Sequence, residues 1–178
     1  NLYFFRPADI VETAEAWQIG LNATKTPSVL ALSRQGLPQL RLGDAVMENK
    51  SMRGGYILTE ASDTPQIVLM ATGSEVMIAE EARQELEAKG YPTRLVSVPC
   101  MELLLAQDKA YRQSLLGDAK SVVVVEAGIE MGWASVAGSD FSFIGMNSFG
   151  ASAPASELFR HFGITKEAVI DAALAKLK

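Results

Sequence analysis

Arg34 is the residue of this chain best placed to do chemistry. It sits in Ser33-Arg34-Gln35-Gly36, which closes the apolar run Ser28-Val29-Leu30-Ala31-Leu32 begun after Pro27. A short β-branched and aliphatic stretch bounded by proline and glycine predicts a buried strand over 28–32. Arg34 then stands at the strand's carboxyl end, where open α/β sheets place their ligand crevices. A guanidinium there binds two oxygens of a phosphate or carboxylate at once. The competing reading is an arginine paired with a surface acid.

Other residues with chemical potential are weaker. Ala71-Thr72-Gly73-Ser74-Glu75 reads as a strand–turn–helix junction, where free backbone N–H groups can hold an anion. It has one glycine and no lysine, and the charge of Glu75 in the first turn opposes an anion, so Ser74 is read as a helix cap. Glu126 ends a run of four valines at the same sheet edge and is read as structural, at a subunit contact. His161, the one histidine, lies on a helical segment beside Phe162 with no Ser or Cys nucleophile motif, and is read as a partly exposed helix residue. Cys100, the one cysteine, forms no internal disulfide and suits a reducing cytoplasm as an inert, semi-buried thiol. Ser148 to Ala155 reads as a tight strand-to-helix loop with Pro154 near the helix start. No His, Cys or acid cluster has metal-ligand spacing. The residues alone therefore predict one anion-binding group, Arg34, with no catalytic, cofactor-binding or metal-binding residue.

These side chains need elements to position them. The 178 residues are 48% hydrophobic and 21% charged, an ordinary globular composition. A net charge of −5 without a basic stripe excludes a nucleic-acid surface, and no apolar run reaches membrane-spanning length. Asp9 and Glu12 form a capping box, after which Ile10, Ala14, Trp17 and Leu21 recur at helical spacing, predicting an amphipathic helix that must cover something. Asn1-Leu2-Tyr3-Phe4 reads either as a native strand or as the remnant of a cleavage tag. Strands are predicted near 54–58, 66–71, 93–98, 121–126 and 141–146, alternating with helices over 75–89, 101–116, 156–162 and 166–177. The early strand at Tyr56 arrives without a preceding helix, so it is placed antiparallel at one edge. The fold class is α/β: a three-layer domain with a mostly parallel sheet, preceded by a helix–strand remnant of another α/β domain.

Six segments, in order, resemble the carboxyl-terminal part of transketolases. They are Phe5-Arg6-Pro7-Ala8-Asp9 with Glu12, Ala31-Leu32-Ser33-Arg34-Gln35-Gly36-Leu37-Pro38, Arg53-Gly54-Gly55-Tyr56, Ala71-Thr72-Gly73-Ser74-Glu75-Val76, Val125-Glu126-Ala127-Gly128-Ile129, and Gly145-Met146 through Phe149-Gly150-Ala151-Ser152-Ala153-Pro154-Ala155. The resemblance implies that residues 1–41 end a pyrimidine-binding domain, 42–51 are a linker, and 52–178 form the carboxyl-terminal domain. It implies a cytoplasmic homodimer that transfers a two-carbon ketol unit between sugar phosphates, using thiamine diphosphate and a divalent metal, magnesium or calcium. Arg34 matches the family arginine that binds the substrate's phosphate. The cofactor-binding and catalytic residues would precede Asn1, so the chain is expected to be a fragment, inactive and cofactor-free by itself, whose partners are sugar phosphates and the remainder of the enzyme. The alternatives are a related ketol transferase such as dihydroxyacetone synthase, and a non-catalytic module that captures a small anion at Arg34 or at Thr72-Gly73-Ser74.

Overall fold

Alternation of fully apolar strands with helices dictates the main body. In the computed structural model, which describes residues 1–43 and 47–177, five strands order as β3-β5-β4-β6-β7. They are β3 (Tyr56–Thr59), β4 (Ile67–Ala71), β5 (Thr93–Ser97), β6 (Ser121–Val125) and β7 (Ser142–Ile144). All neighbours run parallel except β3, which pairs antiparallel with β5 at the edge, as the missing crossover helix predicts. Every residue of β4 and β6 is buried. Strand alternation sends Ile67, Leu69, Ala71, Val123 and Val125 to one face and Val68, Met70, Val122 and Val124 to the other. The first face is covered by α2 (Glu75–Ala88) and α7 (Lys166–Ala175), through Ile78, Ala82, Leu86, Val169 and Ala173. The second carries Leu104 of α3 (Met101–Leu105), Leu115 of α4 (Lys109–Leu116) and Val136 of α5 (Ala134–Ala137). The single helix expected over 101–116 is two, because the Asp108 carboxylate accepts the Tyr111 N–H at 2.7 Å and starts a new helix there.

Ahead of this domain lie β1 (Tyr3–Phe5), α1 (Ile10–Asn22) and β2 (Ser28–Leu30). Of the opening residues Tyr3 to Phe5 form β1, paired parallel with β2 so that Phe4 faces Val29. β2 stops two residues short of the expected span. Asp44, Ala45 and Val46 of the expected linker lie outside the described residues. The apolar stripe of α1 faces outward: Ile10 is 70% exposed, Trp17 54% and Leu21 77%. The face that α1 buries within this chain instead carries Glu12, Glu15 and Ala16, and the apolar stripe expected to cover something stays exposed among the described residues.

That buried face makes a polar seam with the larger domain. Asp9 Oδ1 accepts the Glu12 N–H, the capping half of the predicted box, while Glu12 reaches back to the Ala8 N–H rather than that of Asp9. Its Oε1 also accepts the Tyr56 hydroxyl at 2.7 Å and the Ser97 hydroxyl at 2.6 Å, from β3 and β5. Glu15 holds the buried Arg41 guanidinium at 2.6 Å and takes the Ser51 N–H and hydroxyl. The turn of 3-10 helix at Lys50–Arg53 ends on Gly54, whose φ of +77° places its Cα against α3. A Cβ on Gly54 would stand 2.1 Å from the Leu104 nitrogen and 2.4 Å from the Cys100 carbonyl oxygen.

Gly54→Ala combines left-handed strain with a backbone collision and should lose at least about 3 kcal/mol of stability, read by urea unfolding of the chain. Burial is the main force on Glu12 and lifts its pKa to about 7; hydrogen bonds from Ser97, Ala8 and Tyr56 oppose it, and the Asp9 charge adds to it. The folded state therefore keeps a proton that the unfolded chain releases near 4.5, so through this group stability falls as pH rises from 4.5 to about 7 and is flat above. In Glu12→Gln, which cannot ionise, the melting temperature should decline less over that window; an equally steep decline would remove Glu12 as its source.

Candidate functional site

β1 and β2 run parallel, so the chain leaves both at the same end. The Ala31 N–H still bonds the Phe5 carbonyl at 2.8 Å, after which the backbone bends at Arg34 and Gln35, with the Ser33 hydroxyl donating to the Gln35 carbonyl at 3.2 Å. This sets the exposed Arg34 and Gln35 across from the loop Ala151–Ala155 that leads into α6 (Ala155–His161). Between them, with Leu158 at the back, lies an open cleft of about 860 Å³. Among the described residues Arg34 is the one charged residue lining it. Among the described residues it makes no hydrogen bond or ion pair, so the surface-acid reading is not what the structure contains. A fork of N–H donors facing small side chains and no acid suits an anion with two or three oxygens.

The other sequence-predicted residues lie elsewhere. His161 is exposed at the last position of α6 and packs edge-on against Phe162, with ring centroids 4.8 Å apart. Cys100 is buried; burial chiefly, and its hydrogen bond to Glu102, push the thiol up to about 12, so it carries no thiolate at neutral pH. Ser74 stands at the start of α2 with helical φ and ψ and caps nothing: its hydroxyl donates to Glu75 Oε1 at 2.6 Å, which corrects the expected cap. The junction Thr72-Gly73-Ser74 holds a cation's neighbourhood rather than an anion's. The Gly73 N–H bonds the Arg6 carbonyl, and the buried Glu75 carboxylate takes the Arg6 guanidinium at 2.6 Å together with the Ala127 N–H. The junction therefore drops out as an anion site. Glu126 is held within the chain, by Arg6 at 2.6 Å and by the Trp133 indole N–H at 2.7 Å.

Arg6 is the residue that sequence reasoning passed over. It is separated from Glu75 and Glu126 by 69 and 120 positions, and no local spacing announces such a pairing.

Comparison with known proteins places this geometry. The model of the transketolase-like TK C-terminal domain matches residues 54–165. The transketolase of Sinorhizobium medicae is 51% identical over 179 residues, covering 100% of this chain and 26% of that protein. Among solved structures, transketolase from Leishmania mexicana superposes with a TM-score of 0.86 at 40% identity, over 99% of this chain and 25% of that one. A Pichia stipitis transketolase in complex with sedoheptulose 7-phosphate gives 0.87 at 37% identity, again over 99% and 25%. The chain thus spans about a quarter of the length of these relatives. Agreement in sequence and in backbone along its length shows that the chain belongs to the transketolase family, as the carboxyl-terminal part.

Proposed function

We propose that this chain supplies the substrate-phosphate arm and the carboxyl-terminal domain of an enzyme that transfers a two-carbon ketol unit between sugar phosphates. The observation that carries this reading is Arg34, exposed and, among the described residues, without a partner and facing a cleft lined by no acid. A relative solved with a sugar phosphate makes that ligand class the natural occupant. Gripping a phosphate remote from the reacting carbons turns binding energy into orientation.

In that enzyme thiamine diphosphate supplies the electron sink for breaking and forming the carbon–carbon bond, with a divalent metal ion, magnesium or calcium, on its diphosphate. Among the described residues no three His, Cys, Asp or Glu side chains converge as a metal-ligand set, and Arg6 pairs with the two acids at the crevice of the five-stranded sheet. The reading accordingly assigns the cofactor to the remainder of the enzyme. The outward stripe of Ile10, Trp17 and Leu21, with Phe4 and Val29 on the bare face of the β1–β2 pair, supports such a further layer. Residues 1–41 are read accordingly as the end of a pyrimidine-binding domain, 42–51 as a linker and 52–178 as the carboxyl-terminal domain. Exposed Ile129, Met131 and Phe149 support a homodimer. Among the described residues no helix is long and apolar enough to cross a membrane. The cytoplasm is proposed on the single Cys100 alone.

Reconstitution tests the reading. The chain combined with the preceding polypeptide of a relative, thiamine diphosphate and magnesium should transfer ketol units, and the chain alone should not. In that assembly Arg34→Ala should lose roughly 1.5–3 kcal/mol in kcat/KM for phosphorylated donors, the scale of a charged hydrogen bond, and little for unphosphorylated ones. Equal losses for both donors would take Arg34 out of the phosphate role.

A further inference from the structure

The order β3-β5-β4-β6-β7 makes β4 the strand from which the chain turns first to one side and then to the other. Open α/β sheets take their ligands at the carboxyl ends of such strands. Here that crevice is built and occupied in large part by a side chain of the chain itself, with an opening of about 90 Å³ left beside it. Glu75, after β4, and Glu126, after β6, converge on one guanidinium: Arg6 Nη2 lies 2.6 Å from Glu75 Oε2 and Arg6 Nη1 lies 2.6 Å from Glu126 Oε1. Each carboxylate is fixed in turn, Glu75 by the Ser74 hydroxyl and the Ala127 N–H, Glu126 by the Trp133 indole. The Arg6 backbone is seated as well, its N–H on the Pro99 carbonyl and its own carbonyl receiving the Gly73 N–H at 3.0 Å. Gly73, at φ +59°, leaves room for it: a Cβ there would stand 3.4 Å from Arg6 Nη2.

Arg6 is also the residue that directly follows β1, at the end of the two-stranded sheet from which Arg34 departs. The opposite wall of the Arg34 cleft follows β7. That strand end is tied to Glu126, whose N–H bonds the Ile144 carbonyl, and to Gly128, whose carbonyl accepts the Met146 N–H. One ion pair, Arg6–Glu126, therefore bridges the supports of the two walls.

We propose that Arg6 is a positioning residue: its guanidinium serves as a built-in ligand of the crevice and holds the Arg34 wall in register with the Ala151–Ala155 wall. The importance of that register rests on the phosphate reading of Arg34; the register itself does not. The two are separated by a measurement that needs no substrate. Spin labels on Ser33→Cys and Ser152→Cys, both exposed, report the distance between the walls of the 178-residue chain, with Cys100 buried and unlabelled. The parent should give one narrow distribution, indifferent to millimolar guanidinium. Arg6→Ala should broaden it roughly twofold. Millimolar guanidinium chloride, and not sodium chloride, should narrow it again by refilling the crevice. Arg6→Lys, whose single ammonium cannot fork between two acids, should fall between. Glu126→Gln, which leaves the Arg6–Glu75 pair in place, should broaden the distribution without a response to guanidinium. An unchanged width in both Arg6→Ala and Glu126→Gln, or equal effects of guanidinium and sodium, overturns the proposal. In the reconstituted enzyme Arg6→Ala should raise KM for a phosphorylated donor several-fold with kcat retained; an equal fall of kcat for all donors would mean that Arg6 acts on folding alone.

Discussion

Carboxylates buried between two pieces of structure must be satisfied or neutralised, and the rest of this molecule is arranged around that constraint. Glu12, Glu15 and Glu75 are all buried, and each is met by several donors from distant segments. An unpaired charge at such depth would disfavour the folded state by several kcal/mol after relaxation, more than most single contacts supply. The donors come from every element that borders the seam: backbone N–H groups of Ala8, Ser51 and Ala127, hydroxyls of Tyr56, Ser97 and Ser51, and the guanidinium groups of Arg6 and Arg41. Tyr56 adds its ring, 5.3 Å below the Arg41 Cζ. Such a network is directional, so it defines one relative placement of the two pieces where an apolar contact would tolerate sliding.

The sheet could be read from the residues because its strands carry one unbroken signal. Ile67 to Ala71 and Ser121 to Val125 are apolar along nearly every position, which only a strand covered on both faces allows. The antiparallel edge followed from the absence of a crossover before Tyr56, and the Arg34 cleft from its place after a strand. The inward face of α1 could not be read. Periodicity ranks faces by hydrophobicity, and here the more hydrophobic face looks out while glutamates are buried on partners supplied 26 to 85 positions away. Arg6 escaped for the same reason: two ion pairs joining residues 6, 75 and 126 leave no local pattern. Gly54 and Gly55 were legible as a motif through their resemblance, yet their physical reason, the close passage of α3, needed the fold.

The outward turn of that stripe also explains why the seam has to be polar and complete. A two-stranded parallel sheet has little standing of its own, because parallel pairs are stable when both faces are covered. On its inner face the β1–β2 pair has a small apolar knot of Phe5, Ala16 and Cys100 with Tyr3, Ile19, Leu30 and Leu103. On the other face Phe4 and Val29 are bare. With so little area to bury on the domain, orientation has to come from fixed hydrogen bonds and ion pairs. The proposed phosphate capture makes the same demand. A cleft whose two walls belong to different pieces gains selectivity from Arg34 only if the distance between the walls is held to a fraction of an ångström, since a misplaced fork loses one of its two bonds. The site and the seam are in that sense one device: the acids that make the joint rigid are kept out of the cleft, and the cleft keeps a cation that no acid of the described chain has claimed.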